Sequence, residues 1–236
     1  MLTTPKTKIL QYTLYDLKTS RGELIKFMSG TFKLVETNAG EFNTLSEPLA
    51  LFHNKTHHYS GIQFGIEEGA VSIRAYGGQE IKALKTWLKL YKKHHAFKPR
   101  NMQTIEERYS LEFLPGLQQY RLSRFLVNRA KQKQLSEAKN AEEVKKILAD
   151  YVVANFFPFF NHLNYKHNRQ RHEITVNLLH YRRRQKLYAV FKGVKRQAYD
   201  LVFETNLSLP RLFRMGEATA MGFGDVVREG YQHNLL

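Results

Sequence analysis

The hydrophobic period changes along the first 113 residues in a fixed order, and few folds accommodate that order. Ile9 to Tyr15 mixes β-branched and aromatic residues at a period near two, the spacing of a strand. Ser20 then precedes a helical stretch, Arg21 to Met28, with Gly30 as the expected stop. Val35 to Glu47 is polar, contains Asn38-Ala39-Gly40, and reads as a loop leading to a strand at Pro48 to His53. Tyr59 to Ile66 and Val71 to Tyr76 alternate as strands, joined by the turn-forming Glu67-Glu68-Gly69. From Gln79 to Lys93 the period lengthens. Ile81, Leu84, Leu88 and Tyr91 line one side at spacings of three and four, while the lysines fall mostly elsewhere, as on a helix with one solvated face. Thr104 to Phe113 adds a strand, and the β-α-β-β-α-β order is that of a ferredoxin-like, RRM-like α+β module.

The second half, from Pro115-Gly116, repeats the alternation of element types, so the expected division is 1–115 and 116–236. Asn140 with Glu143 three residues on has the form of a helix cap. Val144, Ile147, Leu148, Tyr151 and Val152 then make an apolar stripe up to Pro158, and His162 beyond it reads as a helix-end or core histidine. Strands are expected at Glu173 to Leu179, Leu187 to Phe191 and Ala198 to Phe203. A content of 42% hydrophobic residues in 236 is enough for one large core or two of roughly 100 residues each. With 16 Phe and 13 Tyr against 6 Pro, the chain has the profile of a folded protein.

Lys and Arg number 37 against 21 acids, a formal charge of +16, so the natural partner is a polyanion. Nucleic acid is favoured over membrane. The longest apolar stretch, Tyr151 to Phe160, is interrupted by Asn155 and Pro158, and a spanning helix needs ~20 apolar residues. Without cysteine there is neither a disulfide nor a thiolate metal site, and no compact His and carboxylate set stands at ligand spacing, so no metal or cofactor is expected. The N-terminus, Met1 to Lys6, lacks the apolar core of a signal peptide, which points to the cytoplasm.

Between Tyr165 and Arg196 the basic residues are Lys166, Arg169, Arg171, Arg182, Arg183, Arg184, Lys186, Lys192, Lys195 and Arg196, against one acid, Glu173. Arg182-Arg183-Arg184 stands between two strand-like runs and is expected at a hairpin tip, where guanidinium groups fork onto phosphates. Tyr165, Tyr181 and Tyr188 flank these residues and can either stack on bases or serve the core. Near the C-terminus, Gly216, Gly222 and Gly224 crowd the run Arg214-Met215-Gly216-Glu217-Ala218-Thr219-Ala220-Met221-Gly222-Phe223-Gly224-Asp225-Val226. Glycines at this density either let the backbone approach a phosphate, with free amides, or simply make turns.

This terminal run resembles the glycine-rich loop of the CRISPR-associated repeat-processing endoribonucleases, Cas family six. That pattern is glycine–hydrophobic–glycine, five residues, then glycine–hydrophobic–glycine. Gly222-Phe223-Gly224 matches its second half, and Arg214-Met215-Gly216 matches the first with arginine in place of the leading glycine. Glu217 to Met221 lack the basic residue usual there, a charge that Arg214 is expected to supply. Pro48-Leu49-Ala50-Leu51-Phe52, Gly61-Ile62, Glu67 to Ala70, Leu117 to Tyr120, and Phe191-Lys192-Gly193 leading to Phe203 and Asn206 fall in the family's order. Arg21-Gly22 resembles the opening of its first helix and adds Arg21 to the expected RNA-binding set.

The resemblance implies two ferredoxin-like modules in tandem that bind a repeat hairpin RNA, alone or with other CRISPR effector subunits. It also implies metal-independent cleavage, in which a ribose 2′-hydroxyl attacks the adjacent phosphate and leaves a 2′,3′-cyclic end. Many members place a histidine in or just after the first helix, whereas this chain has none between Met1 and Phe52. The nearest are His53, His57 and His58, with Tyr59 beside them and Lys55 in the same turn; these are the catalytic candidates, since an imidazole of pKa about 6.5 suits proton transfer near neutrality. His167, His172 and His180, within the basic segment, are alternatives. A member that holds guide RNA without cutting it is the first rival reading, and a generic basic RNA chaperone is another.

Overall fold

In the computed structural model, residues 6–18, 20–43, 45, 47–52, 59–67, 69–94, 101–163, 173–191, 194–219 and 222–230 are described. They form two compact units, one built on the chain before Leu111 and joined by Gly222, the other on the chain from Leu111 onward. Each has its own antiparallel sheet.

The first unit contains β1 (Thr7–Lys18), α1 (Arg21–Thr37), α2 (Pro48–Phe52), β2 (Ile62–Glu67), β3 (Ala70–Tyr76), α3 (Gly78–His94) and β4 (Met102–Tyr109). The sheet order β2-β3-β1-β4 is the ferredoxin-like order anticipated from the sequence. Ser20 caps α1 in a reciprocal box, its own amide donating to Glu23 Oε2 at 2.7 Å. Contrary to expectation the helix runs through Gly30. Leu24, Met28, Thr31 and Val35 continue one buried stripe past it, and that burial outweighs the ~1 kcal/mol cost of an interior glycine. The stop is Asn38, whose amide and side-chain Nδ2 donate to the Leu34 carbonyl at 3.2 and 2.9 Å. The loop expected from Val35 to Glu47 is therefore partly helical, with a 3-10 turn at Ala39–Phe42.

The strand expected at Pro48 to His53 is instead the single turn α2. Proline suits a first helical position, and Phe52 is fully buried with its ring edge-on to Phe42 at 6.4 Å. Strand β2 begins only at Ile62, and the run expected as one strand, Thr104 to Phe113, divides into β4 and the start of β5. The core gathers Leu10, Leu14, Phe64, Ile73, Leu84 and Trp87, with the partly buried Phe27 edge-on to Phe64, Trp87 and Tyr91.

The second unit contains β5 (Glu112–Leu126), α4 (Arg129–Glu137), α5 (Ala141–His162), β6 (Val176–Phe191), β7 (Val194–Ser208), β8 (Phe213–Arg214) and β9 (Asp225–Arg228). β5 passes through Pro115-Gly116 with a register shift between Phe113 and Gln118. The sheet order β6-β7-β5-β9-β8 repeats the first module's order, with β8 added at one edge. Among the described residues no helix stands between β7 and β9; β8 and the glycine-rich run take that place in the chain. Asn140 caps α5 by accepting the Glu143 amide at 2.9 Å. The helix continues through Pro158 to His162, because Phe156, Phe159 and Phe160 bury on both sides of the proline, with Phe213 4.6 Å from Phe159.

Candidate nucleic-acid interface

Arg182, Arg183 and Arg184 do not form a hairpin tip. They lie inside β6, where Arg182 pairs with Asp200 and Arg183 with Tyr199 across to β7, and the strand pairing resumes at Tyr188 after a register shift. The pairing continues to Phe191 opposite Val194, because β7 runs unbroken from Val194 to Ser208 and its backbone offers the polar run a partner strand. Side chains two apart in a strand share a face. Accordingly, Arg182 and Arg184 both turn to Asp200: Arg182 Nη2 donates at 2.9 Å and Arg184 Nε at 2.7 and 2.8 Å. The Arg124 amide donates to the same carboxylate at 3.1 Å. Burial works against ionisation of Asp200, but the bonds from Arg184, Arg182 and Arg124 outweigh it and hold its pKa below the ordinary 3.8. Arg183 is exposed and carries no such partner among the described residues.

Arg124 sits at a register shift in β5 with φ of 56°, unusual for a side chain of this size. Its guanidinium pairs with Asp225, as does that of Arg214, whose Nε lies 2.6 Å from Asp225 Oδ1. Arg214 was expected to lend its charge to bound RNA. It is wholly buried instead, its charge met inside the protein by the residue that follows the glycine triplet.

Gly216, Gly222 and Gly224 have φ of 98°, 76° and 75°. A Cβ would meet the Phe125 ring at 2.7 Å from Gly216, the Gly65 Cα at 2.9 Å from Gly222, and the Met215 carbonyl oxygen at 1.8 Å from Gly224. The Gly224 amide donates to the Arg124 carbonyl at 3.2 Å, and the Met215 amide to the Gly224 carbonyl at 2.9 Å. These glycines let the segment fold onto the protein itself, with Phe223 buried at its centre.

Among the catalytic candidates, His53, His57 and His58 lie outside the described residues, as do His167 and His172. Tyr59 is buried, its ring edge-on to Tyr76 at 5.5 Å, and burial first of all pushes its hydroxyl well above 10. It anchors the chain after residue 58 rather than accepting a proton at neutral pH. Lys166, Arg169, Arg171 and Lys192 also lie outside the described residues. Lys186 lies in β6, Lys195 is exposed on β7, Arg21 is half-buried at the start of α1, and His180 is exposed on β6. Arg196 is largely buried beside Glu217. Asp200, Asp225 and Arg124 carry little sequence signal beyond the two acids' nearness to the arginine run and the glycine triplet. No described helix is long and apolar enough to cross a membrane.

Two ferredoxin-like sheets in tandem, with a glycine-rich run before the last strand, define an α+β protein of two such modules. The family model of the Cas6b C-terminal domain matches residues 112–229, half of the chain and all of β5 through β9, and the chain belongs to that family. Among solved structures, a Cas6b crystal structure shares 15% identity over 95% of this chain and 100% of its own, with a TM-score of 0.72. A CRISPR RNA processing endoribonuclease Cas6b has the same identity and coverage with a TM-score of 0.63. Csf5, a CRISPR-Cas type IV Cas6 crRNA endonuclease, is 14% identical over 95% of this chain and 100% of its own, with a TM-score of 0.56. No curated protein matches the chain by sequence.

Proposed function

We propose that the protein binds a CRISPR repeat hairpin and cuts it without a metal ion, by attack of a ribose 2′-hydroxyl on the neighbouring phosphate. The observation that supports this reading is the match to the Cas6b C-terminal domain over residues 112–229, together with likeness in fold to proteins described as CRISPR RNA endoribonucleases. The cut requires a base for the 2′-proton, a cation for the charge developing on phosphate, and a proton donor to the leaving 5′-oxygen. An imidazole among His53, His57 and His58 takes the proton, and basic side chains of the second unit, Arg183 and Lys195 among them, hold the RNA backbone. Other effector subunits are further partners, and the cytoplasm is the compartment.

A second reading, binding without cutting, draws on the absence of histidine between Met1 and Phe52. One experiment separates the two: labelled repeat hairpin incubated with excess protein in chelator, beside a hairpin carrying a 2′-deoxy nucleotide at the cut site. Cleavage of the first and not the second, with a 2′,3′-cyclic end, supports the enzyme. Tight binding with both RNAs intact replaces it with the binding module, and equal affinity for random RNA removes both.

A further inference from the structure

The glycine-rich run brings a charged pair together within the second unit, and this pair differs from the arginine–aspartate pairs there. Arg182, Arg184 and Arg214 each meet an aspartate at 2.6–2.9 Å. Arg196 Nε lies 3.6 Å from Glu217 Oε2, beyond hydrogen-bond length. The Arg196 side chain is only 16% exposed, and its Nε and Nη1 are sealed from solvent without a hydrogen-bond partner among the described residues. Buried donors in that condition are uncommon, and each calls for an explanation such as an anion that visits the site.

The backbone around Glu217 is also unusual. Gly216 before it has φ of 98° and Ala218 after it φ of 57°, a left-handed conformation that alanine adopts rarely. The carboxylate is thus held near the arginine by a strained turn, at a distance too long to satisfy it. The Tyr151 hydroxyl belongs to the same group and accepts the Asn128 amide at 3.3 Å. Burial first, then Glu217, push its pKa up to about 12, so it remains a neutral hydroxyl beside the pair.

We infer that Arg196 is a phosphate site closed by Glu217, whose carboxylate stands where a phosphate oxygen binds once the turn at Gly216 to Ala218 moves. The Nε of a guanidinium shares its outward edge with Nη2, and that edge is the fork that phosphate oxygens match in pairs, a carboxylate being the protein's nearest equivalent; Nη1, on the Cδ side, would take a separate acceptor. The ligand chemistry is a phosphate, either of the RNA backbone or free. In the first case the inference rests on the RNA-binding reading above.

The test compares wild type, Glu217→Gln and Arg196→Met/Glu217→Gln. Binding of labelled repeat hairpin and of random RNA of equal length is followed across a salt series, and melting is followed with added inorganic phosphate. Opening the gate is expected to tighten hairpin binding roughly 3- to 10-fold, the worth of one net hydrogen bond. It should also steepen the slope of log K against log salt by ~0.7–0.9, one phosphate's counterions. Both gains should vanish in the double variant. The double variant carries the wild-type net charge, so bulk charge is judged by Glu142→Gln, the same charge change at an exposed position on α5. Equal gains in Glu142→Gln, or gains that survive in the double variant, overturn the proposal.

Should the double variant not fold, the single one still decides. Inorganic phosphate must raise the melting temperature of Glu217→Gln more than that of wild type, and equal shifts overturn the site. A phosphate effect without a change in RNA slope assigns the site to free phosphate. A wild type that does not prefer the hairpin to random RNA refutes the proposed function, while the phosphate arm still judges Arg196.

Discussion

A methyl group at position 224 would lie 1.8 Å from the Met215 carbonyl oxygen, on a backbone at φ of 75°. Neither atom is the free end of a side chain, so Gly224→Ala should lose more than about 3 kcal/mol in urea unfolding, from overpacking and left-handed strain together. Gly230 has φ of 82° but nothing within 4 Å of a Cβ, so Gly230→Ala should lose only about 1–2 kcal/mol. Equal losses would mean that the angle alone, and not the approach to Met215, demands glycine at 224. Asp200 makes a separate statement about pH. Its pKa is lower in the folded chain than the ordinary 3.8, so its ion pairs stabilise the fold above that value, and the contribution is lost as pH falls through the folded pKa. The melting temperatures of wild type and Asp200→Asn should therefore differ most near neutrality and converge below about pH 4. A gap that persists at pH 2 would trace the loss to shape rather than charge.

At the scale of elements, β6 changes which arginine matters most. Arg182 and Arg184 are committed to Asp200, so removing either costs fold as well as charge, whereas Arg183 projects from the other face of the strand and is exposed. Arg183→Ala should lower the salt slope of RNA binding by ~0.7–0.9 without moving the melting temperature, and Arg184→Ala should lower the melting temperature as well. Identical behaviour of the two would place the RNA elsewhere. Helices α3 and α5 were legible in the sequence because their apolar stripes are long, α5 having in addition its Asn140 cap, and the order of elements in the first module followed from the alternation of periods around α3. The turn α2 was not, since five apolar residues have no distinguishable period and only contact with the distant Phe42 decides their form. The arginine run was misread as a turn for the same reason: its pairing partners Tyr199 and Asp200 lie across a hairpin. The glycine positions were visible, but what fills the space around them, Phe125, Gly65 and the Met215 carbonyl, is fixed only by the fold.

At the scale of the whole molecule, the charge of +16 ensures affinity for any RNA at low salt, so affinity alone says little about function. On the proposed function, chemistry and grip can be told apart, because the candidates for each fall in different parts of the chain. The histidine candidates occupy residues 53–58, before Tyr59, which is buried and too weakly acidic to share their task. The exposed Arg183 and Lys195 lie on β6 and β7, well beyond them in sequence. Loss of a general base typically costs on the order of 10²–10⁴-fold in rate and leaves ground-state affinity intact, whereas loss of a phosphate contact weakens binding as well. Single-turnover cleavage of the repeat hairpin should therefore collapse in one of His53→Ala, His57→Ala or His58→Ala, with His53 first because it directly follows α2. Binding of the 2′-deoxy hairpin by that variant should equal wild type. Tyr59→Phe removes only the hydroxyl and should cut at close to the wild-type rate, since that hydroxyl stays protonated and buried. Wild-type cleavage by all three histidine variants would move the base to His167, His172 or His180. A slow Tyr59→Phe of full stability would show that its hydroxyl reaches the RNA after all.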